Sequence, residues 1–162
     1  MAATLTVRVN TGTSAGTQSD AVTGIDFISA DNATNSLVNR QAYPIAAGGA
    51  PSYEKWLTLR VDVAPDNGVT NFEVWGDGAV DANTTLYAGV TGTAATPVNT
   101  TSSVATADFT DYTTGSRLTW DAASLTTVGD VTDFLVLQLV ASASAEPGNW
   151  TQETIYYSYT ET

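Results

Sequence analysis

The chain contains no cysteine and no histidine among its 162 residues, and a single lysine, Lys55. Without cysteine there are no disulfides, no thiolate nucleophile and no thiolate metal site; without histidine there is no imidazole base or ligand. Positive charge is scarce: five Lys and Arg stand against seventeen Asp and Glu, a net charge of −12. Such a surface repels phosphate backbones, so nucleic acid is not an expected partner. Long apolar runs are also missing. The longest block, Phe134 to Val140, is strand-sized and is interrupted by Gln138. No helix-type membrane span is expected, and the opening Met1-Ala2-Ala3-Thr4 lacks the basic and apolar regions of a secretory leader.

What is present favours strands. Threonine occurs 28 times and alanine 23 times, and threonine with so little lysine suits a pleated sheet better than a helix. Thr4 to Asn10 alternates, with Leu5, Val7 and Val9 on one face. Gly24 to Ser29 and Leu37 to Tyr43 read as short strands. Trp56 to Val63 places Leu57, Leu59, Val61 and Val63 on one face. Pro65-Asp66-Asn67-Gly68 then supplies turn residues, and Val69 to Trp75 alternates again. The pattern predicts a β-hairpin from Trp56 to Trp75, with a bulge at Gly68. Thr85 to Val90 and Ser116 to Trp120 are further strands, and Asp121 to Gly129 reads as a helical turn capped by Asp121 with Leu125 inward. Residues 91–115 lack periodicity and form one long irregular excursion. Asp133 to Ala141 is apolar on both faces, as in a central strand covered on both sides or one covered outside by another subunit. Ile155, Tyr157 and Tyr159 share one face of a last strand. Eight to ten strands with no sustained helical period predict an all-β protein: an antiparallel β-sandwich, jelly-roll-like, as a single domain over residues 1–162.

Chemistry without histidine or cysteine falls to carboxylates, hydroxyls, Lys and Tyr. Asp62 and Glu73 would face each other across the hairpin as a glycosidase pair; two solvated charges near Arg60 are the plainer reading. Asp77, Asp81 and Asn83 put three oxygen side chains in one glycine-containing loop. Their spacing is not that of a calcium-binding helix–loop–helix, and turn chemistry explains them as well. Asp108 with Asp111, and Asp130 with Asp133, are weaker versions. No catalytic residue, metal ligand or cofactor is assigned. The aromatic residues Trp56, Trp75, Trp150, Tyr156 and Tyr157 are the contact candidates, because large rings on strand faces ask to be covered. The N-terminal strand and the 91–115 excursion join them.

Three stretches carry a family resemblance: Val69-Thr-Asn-Phe-Glu-Val-Trp75, Thr132-Asp-Phe-Leu-Val-Leu-Gln-Leu-Val-Ala141, and the ending Ala145-Glu-Pro-Gly148 followed by Glu153-Thr-Ile-Tyr-Tyr-Ser-Tyr-Thr-Glu161. Together they resemble small virion proteins of tailed bacteriophages that decorate or cement the head. The resemblance spans roughly residues 56–162. It implies a structural protein, not an enzyme, that docks on the outer surface of the major capsid protein. It further implies a homo-oligomer, trimer or dimer, assembled in the host cytoplasm and located on the capsid exterior. The competing expectation is a carbohydrate-binding module or receptor-binding tail component with Trp56 and Trp75 as a sugar platform.

Overall fold

A computed structural model describes residues 2–19, 22–32, 35–46, 48–64, 66–145 and 152–162. Nine strands and one short helix are found among these residues: β1 (Thr4–Thr11), β2 (Thr17–Gln18), α1 (Leu37–Ala42), β3 (Lys55–Val63), β4 (Val69–Gly76), β5 (Thr84–Thr91), β6 (Ala107–Asp108), β7 (Leu118–Asp121), β8 (Phe134–Ala141) and β9 (Ile155–Glu161). They form two antiparallel sheets. One has six strands in the order β2-β1-β3-β8-β5-β6, the other three in the order β7-β4-β9. The all-β antiparallel sandwich expected from the alternation is therefore the fold.

The core lies between the sheets. Val9, Leu57, Leu59, Val61, Leu86, Leu135 and Leu137 project from the larger sheet, and Val69, Phe72, Val74 and Trp120 from the smaller, all buried in one cluster. Period-two alternation decides which residues reach it. In β3 the odd residues 57, 59 and 61 turn inward; in β8 the odd residues 135, 137 and 139 do so. Burying such side chains stabilises the fold by roughly 1.5–3 kcal/mol each.

The strands of the expected Trp56–Trp75 hairpin exist, but they do not pair. β3 is bonded to β1 and β8, while β4 is bonded to β7 and β9. The chain therefore passes from one sheet to the other between the end of β3 at Val63 and the start of β4 at Val69. Two apolar faces bury more area by meeting across a sandwich than by lying side by side, and the turn residues permit either outcome. The bulge is also displaced. Asn71 adopts φ 54°, and the β4–β9 register slips between Thr70 and Glu73. The extra residue lets Val69 and Phe72, three positions apart, both face inward.

Three local expectations are corrected. Residues 24–29 form no strand; they run as irregular chain, tied by Val22 N–H to Val7 O at 3.0 Å and Tyr53 N–H to Ile28 O at 2.9 Å. Residues 37–42 are helical, because Ser36 accepts a hydrogen bond from Asn39 N–H at 3.1 Å as an N-cap. Asp121 closes β7 instead of capping a helical turn. Its carboxylate accepts from Ala123 N–H at 2.7 Å and Asp133 N–H at 2.8 Å. Leu125 points inward as expected, bridged to Val69.

The long excursion has a structural task. Residues 97–105 lie over the outer face of the six-stranded sheet. There Trp56, Val136, Ala105 and Ala15 form a second buried cluster, with Phe134 edge-on to Trp56 at 5.3 Å. Gln138 anchors the covering loop. Its Nε2 donates to Ser52 O at 3.0 Å and Thr100 O at 2.8 Å, and its Oε1 accepts from Ser102 N–H at 2.9 Å. Glu54 adds a carboxylate that accepts from Trp56 Nε1 at 2.8 Å and from Val98 N–H at 3.2 Å. Gly89 permits the close approach, since a Cβ there would stand 1.9 Å from Val104 O. The two-sided apolar character of β8 is thus satisfied within one chain.

Candidate functional site

The outer face of the three-stranded sheet has no such cover among the described residues. Phe72 and Val74 face the core, so Glu73 and Trp75 of β4 face out. Register places Tyr156 of β9 opposite Trp75, and the two rings stack at 5.8 Å with an interplanar angle of 18°. Arg117, immediately before β7, lays its guanidinium over the Trp75 ring at 4.2 Å. Because β4 lies between β7 and β9, Trp75 has the arginine on one side and the tyrosine on the other. Arg117 is fixed in turn by Glu73 Oε2 at 3.1 Å, Ser158 Oγ at 3.2 Å and Thr114 O at 3.2 Å. The result is a pre-ordered row of cation, indole and phenol, each contact of a type worth about 0.5–1.5 kcal/mol. A shallow depression of about 460 Å³, lined by Asn71, Glu73, Arg117, Thr119, Ser158 and Thr160 among others, lies beside it.

Beside this patch runs β9, bonded to β4 on one side only. Residues 154–160, Thr-Ile-Tyr-Tyr-Ser-Tyr-Thr, carry no charge and no proline. An edge of this kind is a template for pairing with another chain. The edges of the larger sheet are instead blunted by two-residue strands, β2 and β6.

The sequence candidates divide clearly. Trp75 and Tyr156 are brought together on the exposed face. Tyr157 points to the opposite face of β9 and is 37% exposed; burial, with Tyr159 nearby, raises its pKa. Trp56 is 1% exposed, beneath the chain's own loop, so it offers no surface and shares no platform with Trp75. Trp150 lies outside the described residues. Arg117 is not singled out by the sequence, because nothing in a lone arginine after a glycine turn signals that it will reach a ring three strands earlier in chain order.

The carboxylate ideas resolve differently. Asp62 and Glu73 sit in different sheets. Asp62 accepts from Thr6 Oγ1 at 2.7 Å and pairs with Arg60 at 3.1 Å and Arg8 at 3.7 Å, while Glu73 pairs with Arg117. They do not face each other as an acid–base pair. Asp77 Oδ1 accepts from Ala79 N–H, and Asp81 O accepts from Thr84 N–H. Asp108 accepts from Thr110 N–H, and Asp130 from Thr126 and Thr127 N–H. These are turn roles. Among the described residues no group of three or more His, Cys, Asp or Glu is placed to hold a metal ion. Asp133 has its pKa raised by burial and then by the charge of Asp121. Lys55 is buried, and desolvation lowers its pKa to about 8 against the raising influence of Asp31 and Asp26. Its Nζ donates to Ala30 O at 3.3 Å and Asn32 O at 2.8 Å, so it clips the irregular segment to β3.

Compared with family models, curated proteins and solved structures, the chain matches none of them.

Proposed function

We propose that this protein is a structural component of a virion, a decoration protein that docks on the major capsid protein and reinforces the shell. The observation that carries this reading is the uncovered Arg117–Trp75–Tyr156 row beside the open, uncharged edge of β9. The six-stranded sheet has its outer apolar residues covered by the chain itself; among the described residues nothing covers the rings of the smaller sheet, and a docked partner is the cover this reading supplies. Ordered aromatic and arginine side chains of this kind anchor protein interfaces, since they bury large area at little conformational cost. Strand pairing at β9 offers a route to self-association into a dimer or trimer.

The same geometry favours a protein partner over a sugar. A sugar platform needs a free ring face, and both sides of Trp75 are occupied. The resemblance of residues 132–141 and 153–161 to phage decoration proteins points the same way. Decoration stabilises a shell by binding intact subunits and not dispersed ones.

The test uses capsids lacking the protein. Adding the wild-type chain restores resistance to heat and osmotic shock, and Tyr156→Ala or Trp75→Ala lowers capsid occupancy at least tenfold. If undecorated particles are as resistant as complete ones, the reading fails. Glycan-array binding lost in Trp75→Ala would replace it with the receptor-binding alternative.

A further inference from the structure

A second feature lies between the sheets and is independent of the docking reading. Three strands cannot cover the inner face of six. The remaining area is roofed by residues 22–32 and 35–45, which contain one short helix. A cleft of about 850 Å³ is left at this end, within the size range of small-molecule sites. Its floor is Leu57, Leu135 and Leu139 of the larger sheet. Its walls come from four separate stretches and include Ile25, Phe27, Ile45, Val80 and Ile155, all apolar and all only partly buried. Five such side chains converging on one opening is a concentration that isolated surface residues do not produce.

The rim supplies the polar selectivity. One arginine stands against three carboxylates: Arg40, Asp26, Asp81 and Glu153. Arg40 is held by Asp26 at 2.7 Å and by Asn35 Oδ1 at 2.9 Å, so its charge is already answered. Glu153 Oε1 accepts from Gly78 N–H at 3.0 Å, whereas its Oε2 is buried and accepts from no N–H among the described residues; the side chain beside it is the carboxylate of Asp77. A donor reaching this pair of carboxylates would supply the hydrogen bonding that it lacks. Burial foremost, and the neighbouring Asp77, raise the Glu153 pKa, in keeping with a site that lacks a cation.

We propose that this cleft binds a small amphiphile whose apolar body lies among Ile25, Phe27, Val80 and Ile155 and whose cationic, hydrogen-bond-donating head meets Glu153. The negative rim selects against an anionic head on the same body.

The experiment is calorimetric titration of the full chain with decylammonium, decanol and decanoate, each below its aggregation threshold. Decylammonium is expected to bind with a stoichiometry of one, and decanoate at least tenfold more weakly. Glu153→Gln should bring decylammonium down to the strength of decanol and leave decanol unchanged, which also reports that the fold is intact. Val80→Trp, in the loop after β4, should fill the opening and weaken decylammonium and decanol alike by tenfold or more; Ile25→Trp repeats the test from the opposite wall. Decanoate binding as tightly as decylammonium would overturn the proposal. So would binding that exceeds one site and ignores both tryptophan variants, which would mean adsorption to the acidic surface.

Discussion

The two outer faces of the sandwich pose one problem and solve it in opposite ways. Each carries a tryptophan on an outward strand position. On the six-stranded sheet, Trp56 is covered by a loop that the chain supplies, pinned through Gln138, Glu54 and the space at Gly89. On the three-stranded sheet, Trp75 is flanked by Arg117 and Tyr156 but has no loop above it among the described residues. The first arrangement is a second core; the second is a surface held ready. The difference teaches that an apolar surplus in a sequence does not by itself call for a partner. It calls for cover, which the chain supplies to one face and, among the described residues, not to the other.

The sharpest way to break this comparison is to remove each ring in turn. Trp56→Ala should cost about 3–5 kcal/mol of stability, as large core truncations do, whereas Trp75→Ala should cost about 1 kcal/mol. Urea midpoints at constant slope would measure both. Equal losses would mean that the two faces are not distinct in kind.

The loop's anchor comes next. Gln138→Leu keeps the volume but strands the carbonyls of Ser52 and Thr100 and the Ser102 N–H. A loss of about 2–3 kcal/mol is expected, with faster amide exchange at Ser102 and Ala105 and red-shifted tryptophan emission. Unchanged exchange would show that the loop holds without its amide.

Lys55 gives a pH test of comparable size, about 3 kcal/mol. Its pKa falls from an ordinary 10.5 to about 8 in the fold. Between those values the unfolded chain holds a proton that the folded chain has released. The Lys55 contribution to stability therefore rises as pH climbs from about 8 to about 10.5, and is constant and unfavourable below. Subtracting the Lys55→Met profile removes the titration of the tyrosines. A difference that stays flat from pH 7 to 10 would place the ammonium in water.

The smallest effect belongs to the exposed row. Arg117→Ala should cost about 0.5–1 kcal/mol, much of it lost in high salt, because its partner Glu73 is solvent-accessible. Under the docking role proposed above, its larger consequence is on capsid occupancy, through a Tyr156–Trp75 pair that loses its third member.

Much of this was legible in the chain. Alternation located β1, β3, β4, β5, β8 and β9 within a residue or two, because side-chain direction along a strand is a local property with period two; which of the two apolar faces of β8 meets the main core was not legible in it. The composition ruled out thiol and imidazole chemistry outright. The irregular stretches read less well: the Ser36 cap outweighed the strand-like look of Leu37 and Val38, and residues 24–29 follow tertiary contacts with β1 and Tyr53 instead of a ladder of their own. Of the contact residues, Tyr156 and Trp75 could be proposed from their outward parity, but Arg117 could not.

What the sequence determined by itself, then, is the longer strands and the alternation of side chains along each, since both are fixed by neighbouring residues alone. Which strand lies beside which was decided only in three dimensions. Turn residues at 65–68 serve a hairpin and a crossing between sheets equally, and the choice is made by how much apolar area all nine strands can bury at once. The same global competition put Trp56 under the chain's own loop and left Trp75 half-buried between Arg117 and Tyr156.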